Sequence, residues 1–263
     1  MKAMTSLIAV LLLVLLVFLG VGTANLTYLF GVIIPYAAIA LFLVGIVTRV
    51  LSWAKVPVPF RITTTCGQQK TLNFIKPNNL ENPHNLRGVL GRMFLEIFFF
   101  RSLFRNTKAE LLDGPRLTYG SSKWLWLGGI VFHYTFLVIF LRHFKYFVEP
   151  VPFWITAMQN LDGFFQIGVP VMYLSEVMFI GAISYLFLRR VIVPQLRYIS
   201  LPADYFPLFL LFGIGSTGIL MRHFLKIDIV AVKQLGTGLL SFSPVVPENI
   251  GLLFFIHLFL VCT

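Results

Sequence analysis

Trp124-Leu-Trp-Leu-Gly-Gly-Ile-Val-Phe-His133-Tyr-Thr-Phe-Leu-Val-Ile-Phe-Leu-Arg-His143 is the stretch that decides the fold. It is apolar apart from a few positions, and a bilayer-crossing helix needs about 20 such residues. On a helix, the ten residues from His133 to His143 climb about 15 Å and turn through about 1000°, leaving the two side chains roughly 80° apart. Both rings can then face one bundle interior at two membrane depths. An ionisable residue inside a span costs free energy, so it points to function by default. Imidazole is a common axial ligand of haem iron, and two ligands at two depths imply an electron path across the membrane.

The rest of the chain fits that reading. Of 263 residues, 58% are hydrophobic and 12% are charged, whereas soluble domains average about 25% charged. The expected fold is therefore an all-α integral membrane protein, a six-helix bundle. Six apolar segments are expected as spans, at about 4–23, 27–52, 123–146, 164–188, 204–225 and 249–263. The last has only 15 residues and closes on Leu-Val-Cys-Thr without a polar stop. The reading is that the natural protein continues and that this chain is cut inside its last helix. Lys2 and the small residues Gly22-Thr23-Ala24 also fit a secretory leader. With numbering from Met1, a retained helix is the preferred expectation.

A net charge of +11 raises the question of nucleic acid. The distribution argues for a membrane instead. Lys55, Arg61, Lys70, Lys76, Arg87, Arg92, Arg101, Arg105, Lys108 and Arg116 crowd the segment between the second and third spans. By the positive-inside rule this loop, 53–122, is cytoplasmic, as is the connection holding Arg189, Arg190 and Arg197. The protein is thus expected as a multi-pass protein of the cell's inner (plasma) membrane. The loop opens with turn-forming prolines (Pro57, Pro59, Pro77, Pro83). Arg87–Arg105 then reads as an amphipathic helix on the membrane surface or against a partner. Two cysteines, Cys66 and Cys262, are too few for an iron–sulfur cluster built by this chain alone. No disulfide is expected between a cytoplasmic loop and an apolar run. Cys66 is a possible partner contact, though a lone loop cysteine is more often quiet. No nucleotide-binding glycine loop, zinc-ligand spacing or catalytic triad pattern is present.

Among the other histidines, His84 reads as a solvated loop residue. His257 lies eight residues beyond Asn249, about 12 Å along a helix that enters from the outer face. That places it at the depth of His143, so a bis-histidine haem between these two helices is sterically sensible. His133 is left without a partner. Each histidine also has a bland reading: a helix–helix hydrogen bond for His133, and an interfacial position for His143. His223, beside Arg222 at an outer helix end, competes as a ligand, a quinone contact or a headgroup-region residue. Arg142 and Lys145 share that side, and with Arg222 and His223 they are candidate contacts for a quinone or for haem propionates. Basic residues there also snorkel to headgroups with no ligand. Glu176 is the one carboxylate expected deep in a span, either as a proton relay or as a structural acid.

Several stretches are more specific than the histidine spacing. They are Tyr28-Leu-Phe-Gly-Val-Ile-Ile-Pro-Tyr36, Pro59-Phe-Arg-Ile-Thr-Thr-Thr-Cys-Gly-Gln-Gln-Lys70, Phe100-Arg-Ser-Leu-Phe-Arg-Asn-Thr-Lys-Ala-Glu110, Tyr119-Gly-Ser-Ser-Lys-Trp-Leu-Trp126, Ile199-Ser-Leu-Pro-Ala-Asp-Tyr-Phe-Pro207 and Pro244-Val-Val-Pro-Glu248. Through them the whole chain resembles the respiratory nitrate reductase gamma-subunit family of dihaem cytochromes b. Within it, the likeness is to the DsrM-type membrane cytochromes b of DsrMKJOP complexes in sulfate reducers. The resemblance implies two haems b held by two histidines on each of two helices. His133, His143 and His257 match three of those ligands, with His143 and His257 on the outer haem. The ligand that would join His133 on the inner haem falls beyond Thr263. It also implies electron transfer between menaquinone and a cytoplasmic, DsrK-like iron–sulfur subunit resembling heterodisulfide reductase, in dissimilatory sulfate or sulfite reduction. The chain would be an electron-transfer subunit of a quinone-linked oxidoreductase, assembled with the other DsrMKJOP subunits.

Two other readings stay open. One is a membrane cytochrome b of a nitrate reductase or heterodisulfide reductase with a different soluble partner. The other is a transporter or membrane anchor without haem, which a missing Soret band would favour.

Overall fold

The computed structural model describes residues 2–56, 70–112, 116–163 and 170–263. Cys66, Pro57, Pro59 and the start of the expected span 164–188 lie outside them. The chain divides into two compact units, Met1–Thr48 with Val131–Thr263, and Arg49–Ile130.

The first unit is a helical bundle. It contains α1 (Lys2–Gly22) and, after a π-helical turn at Leu29–Ile33, most of α2 (Ile34–Lys55). The second unit holds α3 (Leu86–Phe99), α4 (Arg101–Arg105) and a hairpin of β1 (Thr107–Leu112) and β2 (Arg116–Ser121). The first turns of α5 (Lys123–His143) also belong to it, and the rest of α5 lies in the bundle. The bundle continues through α6 (Phe153–Asp162), α7 (Leu174–Ile192), α8 (Pro194–Ile199) and α9 (Pro202–Ile219). After a second π-helical turn at Leu220–Phe224 come α10 (Ile229–Leu240) and α11 (Leu252–Cys262).

Four helical segments are long and apolar enough to cross a membrane: Lys2–Gly22, Leu29–Lys55, Lys123–Tyr146 and Pro202–Phe224. The protein is a multi-pass membrane protein. The expectation of six spans is not matched among the described residues. The 19-residue α7 has the length, but it carries Glu176, Arg189 and Arg190. α11 has 11 residues. α7 starts only after Tyr173, whose backbone is extended, so it begins ten residues later than the 164 expected from hydropathy. The short helices α6 and α10 and the β-hairpin were not anticipated. Each is too short to give a spanning signal.

The bundle core forms where α1 meets α9 and α11. Val17, Phe30, Leu235, Phe255, Ile256 and Leu260 are buried together there. α1 is bound in further by the Ser6 hydroxyl, which donates to the Pro202 carbonyl at 2.6 Å. Outside this core large apolar side chains face outward, and on α2 Leu41, Phe42, Leu43, Val44 and Val47 are all exposed. That is the pattern of helices solvated by lipid rather than water.

In the second unit, Asn85 caps α3 by accepting from Gly88 N at 2.8 Å. The chain then turns sharply at Phe100, which adopts a left-handed conformation (φ 48°). The expected amphipathic helix Arg87–Arg105 is thus two helices joined at an elbow. The hairpin pairs Thr107 with Ser121 and Leu112 with Arg116 in antiparallel register.

Candidate functional site

α5 and α11 bring two imidazoles together. The rings of His143 and His257 have centroids 6.4 Å apart and planes 13° from parallel. Nδ1 of His143 lies 2.6 Å from the Ile139 carbonyl, one turn back on α5. A carbonyl only accepts, so this Nδ1 carries the proton and Nε2 keeps its lone pair. Nδ1 of His257 lies 2.9 Å from the Thr217 hydroxyl on α9. That hydroxyl has one proton, and the Gly213 carbonyl at 2.8 Å is a ready acceptor for it. Thr217 then accepts from Nδ1–H of His257, and Nε2 again keeps its lone pair.

Two neutral imidazoles with bare Nε2 atoms and fixed Nδ1–H bonds are in the state that metal-ligating histidines adopt. Bonds of about 2 Å from a metal to each nitrogen, plus the ring radii, separate two centroids by roughly 6 Å. The observed separation fits one metal ion between the rings. Gly218 lies against this ring: a Cβ there would be in ordinary contact with Cε1 of His257, at 3.5 Å. α10 closes on the far end of α5 through Gly236, where a Cβ would stand 2.5 Å from the Tyr146 carbonyl. His133 is exposed, and the Phe132 ring meets its own edge-on at 4.9 Å.

Beside His143 lies a buried polar cluster. Arg142 is only 5% exposed. Its guanidinium pairs with Asp162 and reaches Glu176 at 3.2 Å. Asp162, the last residue of α6, also takes Ser175 N at 2.8 Å and the Ser175 hydroxyl at 2.6 Å, fastening the start of α7. Glu176 Oε2 lies 3.3 Å from Nε2 of His223. The Tyr173 ring is sandwiched between the Arg142 and Arg222 guanidiniums, whose carbons sit 3.7 and 4.1 Å from its centroid. Arg222 donates to the Val171 carbonyl at 3.1 Å.

Of the residues singled out in the sequence, Arg142, Glu176, Arg222 and His223 come together here. Lys145 lies over the Tyr146 ring at 5.0 Å. Glu176 is in the first turn of α7 rather than deep in a span, and it is ion-paired. Sequence reasoning missed Asp162, Tyr173, Ser175 and Thr217. The one available signal was for Asp162: a buried arginine needs a carboxylate, and few acids lie between α5 and α7.

Residues 116–261 match the family model of the nitrate reductase gamma subunit. The chain belongs to the nitrate reductase gamma-subunit family. Two curated relatives are similar to the chain along most of their length. One, from Archaeoglobus fulgidus, is the Hdr-like menaquinol oxidoreductase cytochrome b-like subunit, 39% identical over 87% of this chain and 70% of its own. Its namesake from Archaeoglobus profundus is 35% identical over the same shares. No solved structure matches. The match to the gamma-subunit family spans α5 through α11, and so contains both His143 and His257.

Proposed function

We propose that this gamma-subunit family member is a haem b membrane subunit of a menaquinol-linked oxidoreductase. His143 and His257 are the axial ligands of one haem. The observation that carries this reading is the near-parallel pair of imidazoles, each with Nδ1 committed to an acceptor. A haem bound there supplies one-electron exchange between a quinol and a soluble redox partner.

The chain's own residues do the rest. Ile139 and Thr217 hold the two imidazoles in the ligating tautomer. Arg222 and Lys145, beside His143, are suited to carboxylate or quinone oxygens. Arg142, committed to Asp162 and Glu176, braces the helices that carry the site. Quinol oxidation releases two protons for two electrons. Glu176 and His223, in hydrogen-bond contact, are the groups placed to accept them. His133 is the candidate ligand for a second haem, at the other depth of α5. The relatives' name, Hdr-like menaquinol oxidoreductase, favours a quinone-linked complex. The resemblance of the loop stretches favours a DsrK-like iron–sulfur partner and the DsrMKJOP type of complex in sulfate or sulfite reduction.

The test is to compare reduced-minus-oxidised spectra and ferric electron paramagnetic resonance of the purified protein with those of His143→Ala and His257→Ala. Both variants are expected to lose the same low-spin bis-histidine signal. Full retention of that signal in either variant overturns the assignment.

A further inference from the structure

α3 is built inside out for a loop in water. Leu86, Leu90, Met93, Phe94, Ile97 and Phe98 are all 48–72% exposed. At 100° per residue the first five of these fall within one arc of about 100°, with Phe98 at its margin. Arg92 and Glu96 of the same helix turn the other way, while Arg87 stands at the edge of the face. Arg92 donates to the Glu81 backbone carbonyl. Glu96 accepts from Ser102 N at 2.9 Å and from the Ser102 hydroxyl at 2.6 Å. The buried Glu81 carboxylate takes Arg101 and Arg105. Arg92, Glu96, Glu81, Arg101 and Arg105 are thus held within the unit, and the apolar face of α3 is left outward.

The elbow after α3 is fastened to a membrane span. The Trp126 indole N–H donates to the Phe99 carbonyl at 2.8 Å. The Phe104 ring meets Trp126 edge-on at 4.9 Å, and Lys123 lies over Phe104 at 5.2 Å. Trp126 is three residues into the span Lys123–Tyr146, about 5 Å along its axis. Tryptophan and lysine at that position mark the headgroup level of a bilayer. The C-terminus of α3 is therefore held at the depth where α5 enters lipid.

We infer that α3 is an interfacial helix whose apolar face is embedded in the lipid surface around the start of α5. The occupant of that face is the headgroup–acyl boundary, not a soluble protein. Continuity with the span sets the depth, and the exposed Arg87 and Lys123 beside the face suit anionic headgroups. The loop would then be held down on the membrane by its own helix. This inference does not depend on the haem assignment.

The test uses the intact protein, with Cys66 and Cys262 replaced by serine, in nanodiscs of phosphatidylcholine and phosphatidylglycerol. Nitroxide labels are placed singly at Phe94→Cys, Ile97→Cys and Gly91→Cys. Gly91 lies off the apolar arc, and nothing stands within 4 Å of a Cβ there, so none of the three labels displaces a buried group. Labels at 94 and 97 should relax with oxygen rather than with a water-soluble nickel chelate, at a depth of about 5–10 Å. The label at 91 should show the reverse. Equal nickel access at all three sites overturns the proposal. So does protection of 94 and 97 that appears only when a soluble partner is added, since that would make the face a protein-docking surface.

Discussion

The Thr217 hydroxyl lies 2.9 Å from Nδ1 of His257, joining α9 to the imidazole that α11 presents. A hydrogen bond at Nδ1 makes the imidazole a stronger donor to a bound metal and favours the higher oxidation state. Thr217→Val removes the acceptor while keeping the shape. The haem should still bind, and its midpoint potential should rise by some tens of millivolts, since one hydrogen bond contributes about 1 kcal/mol. Thr217→Ser should restore the original potential. A redox titration reads the shift. An unchanged potential with haem present would remove Thr217 from its tuning role, whereas loss of all haem signal from the unaltered protein would remove the ligand assignment itself.

His133 gives a contrasting result. It shares α5 with His143 and stands ten residues from it, about 15 Å along the helix. His133→Ala should leave the bis-histidine signal of the His143–His257 pair intact, measured by the same low-spin resonance. Disappearance of that signal would mean that the ligands are paired differently.

Arg142 is a matter of stability. It is buried and holds both Asp162 and Glu176. Arg142→Leu leaves two carboxylates without their cation, and breaking a buried pair from one side costs about 3–5 kcal/mol. Thermal unfolding in detergent should show a large drop in Tm. Pairing that change with Asp162→Asn and Glu176→Gln should recover part of it, because the stranded charges are gone.

Gly236 is a matter of space. A Cβ at this position meets the Tyr146 backbone carbonyl at 2.5 Å, and backbone gives way less readily than a side chain. Gly236→Ala should push α10 off the end of α5 and lower stability by about 1–3 kcal/mol, the usual cost of overpacking. The same melting experiment checks it. Gly91→Ala, on an open face, should be close to neutral.

The span Lys123–Tyr146 was legible because apolar residues run unbroken there, and its limits agree with those expected. The approach of His143 to His257 was also within reach of the sequence: helix rise and membrane orientation put both at one depth. The start of α7 was not, because hydropathy does not register a break in the backbone. Pro170-Val-Met-Tyr173 is apolar enough to look like helix, yet Tyr173 is extended and the helix follows it. The Arg142–Asp162–Glu176 cluster was invisible for another reason. Its members come from three helices, and only tertiary folding reveals that the lone acid at the end of α6 faces the lone arginine of α5. Thr217 carried no signal at all, since a threonine bonded to its own helix carbonyls is ordinary in apolar helices.

The contact of α1 with α11 has a consequence for the order of assembly. Val17, from the first helix, is buried in the cluster that also holds Phe255 and Leu260, on either side of His257. The wall behind that histidine is therefore built from the earliest-made part of the chain and completed by a helix made more than two hundred residues later. During synthesis α1 must wait in the bilayer with the face that packs on α11 uncovered. A haem held by His143 and His257, as proposed above, would then be inserted only after the ribosome has delivered α11.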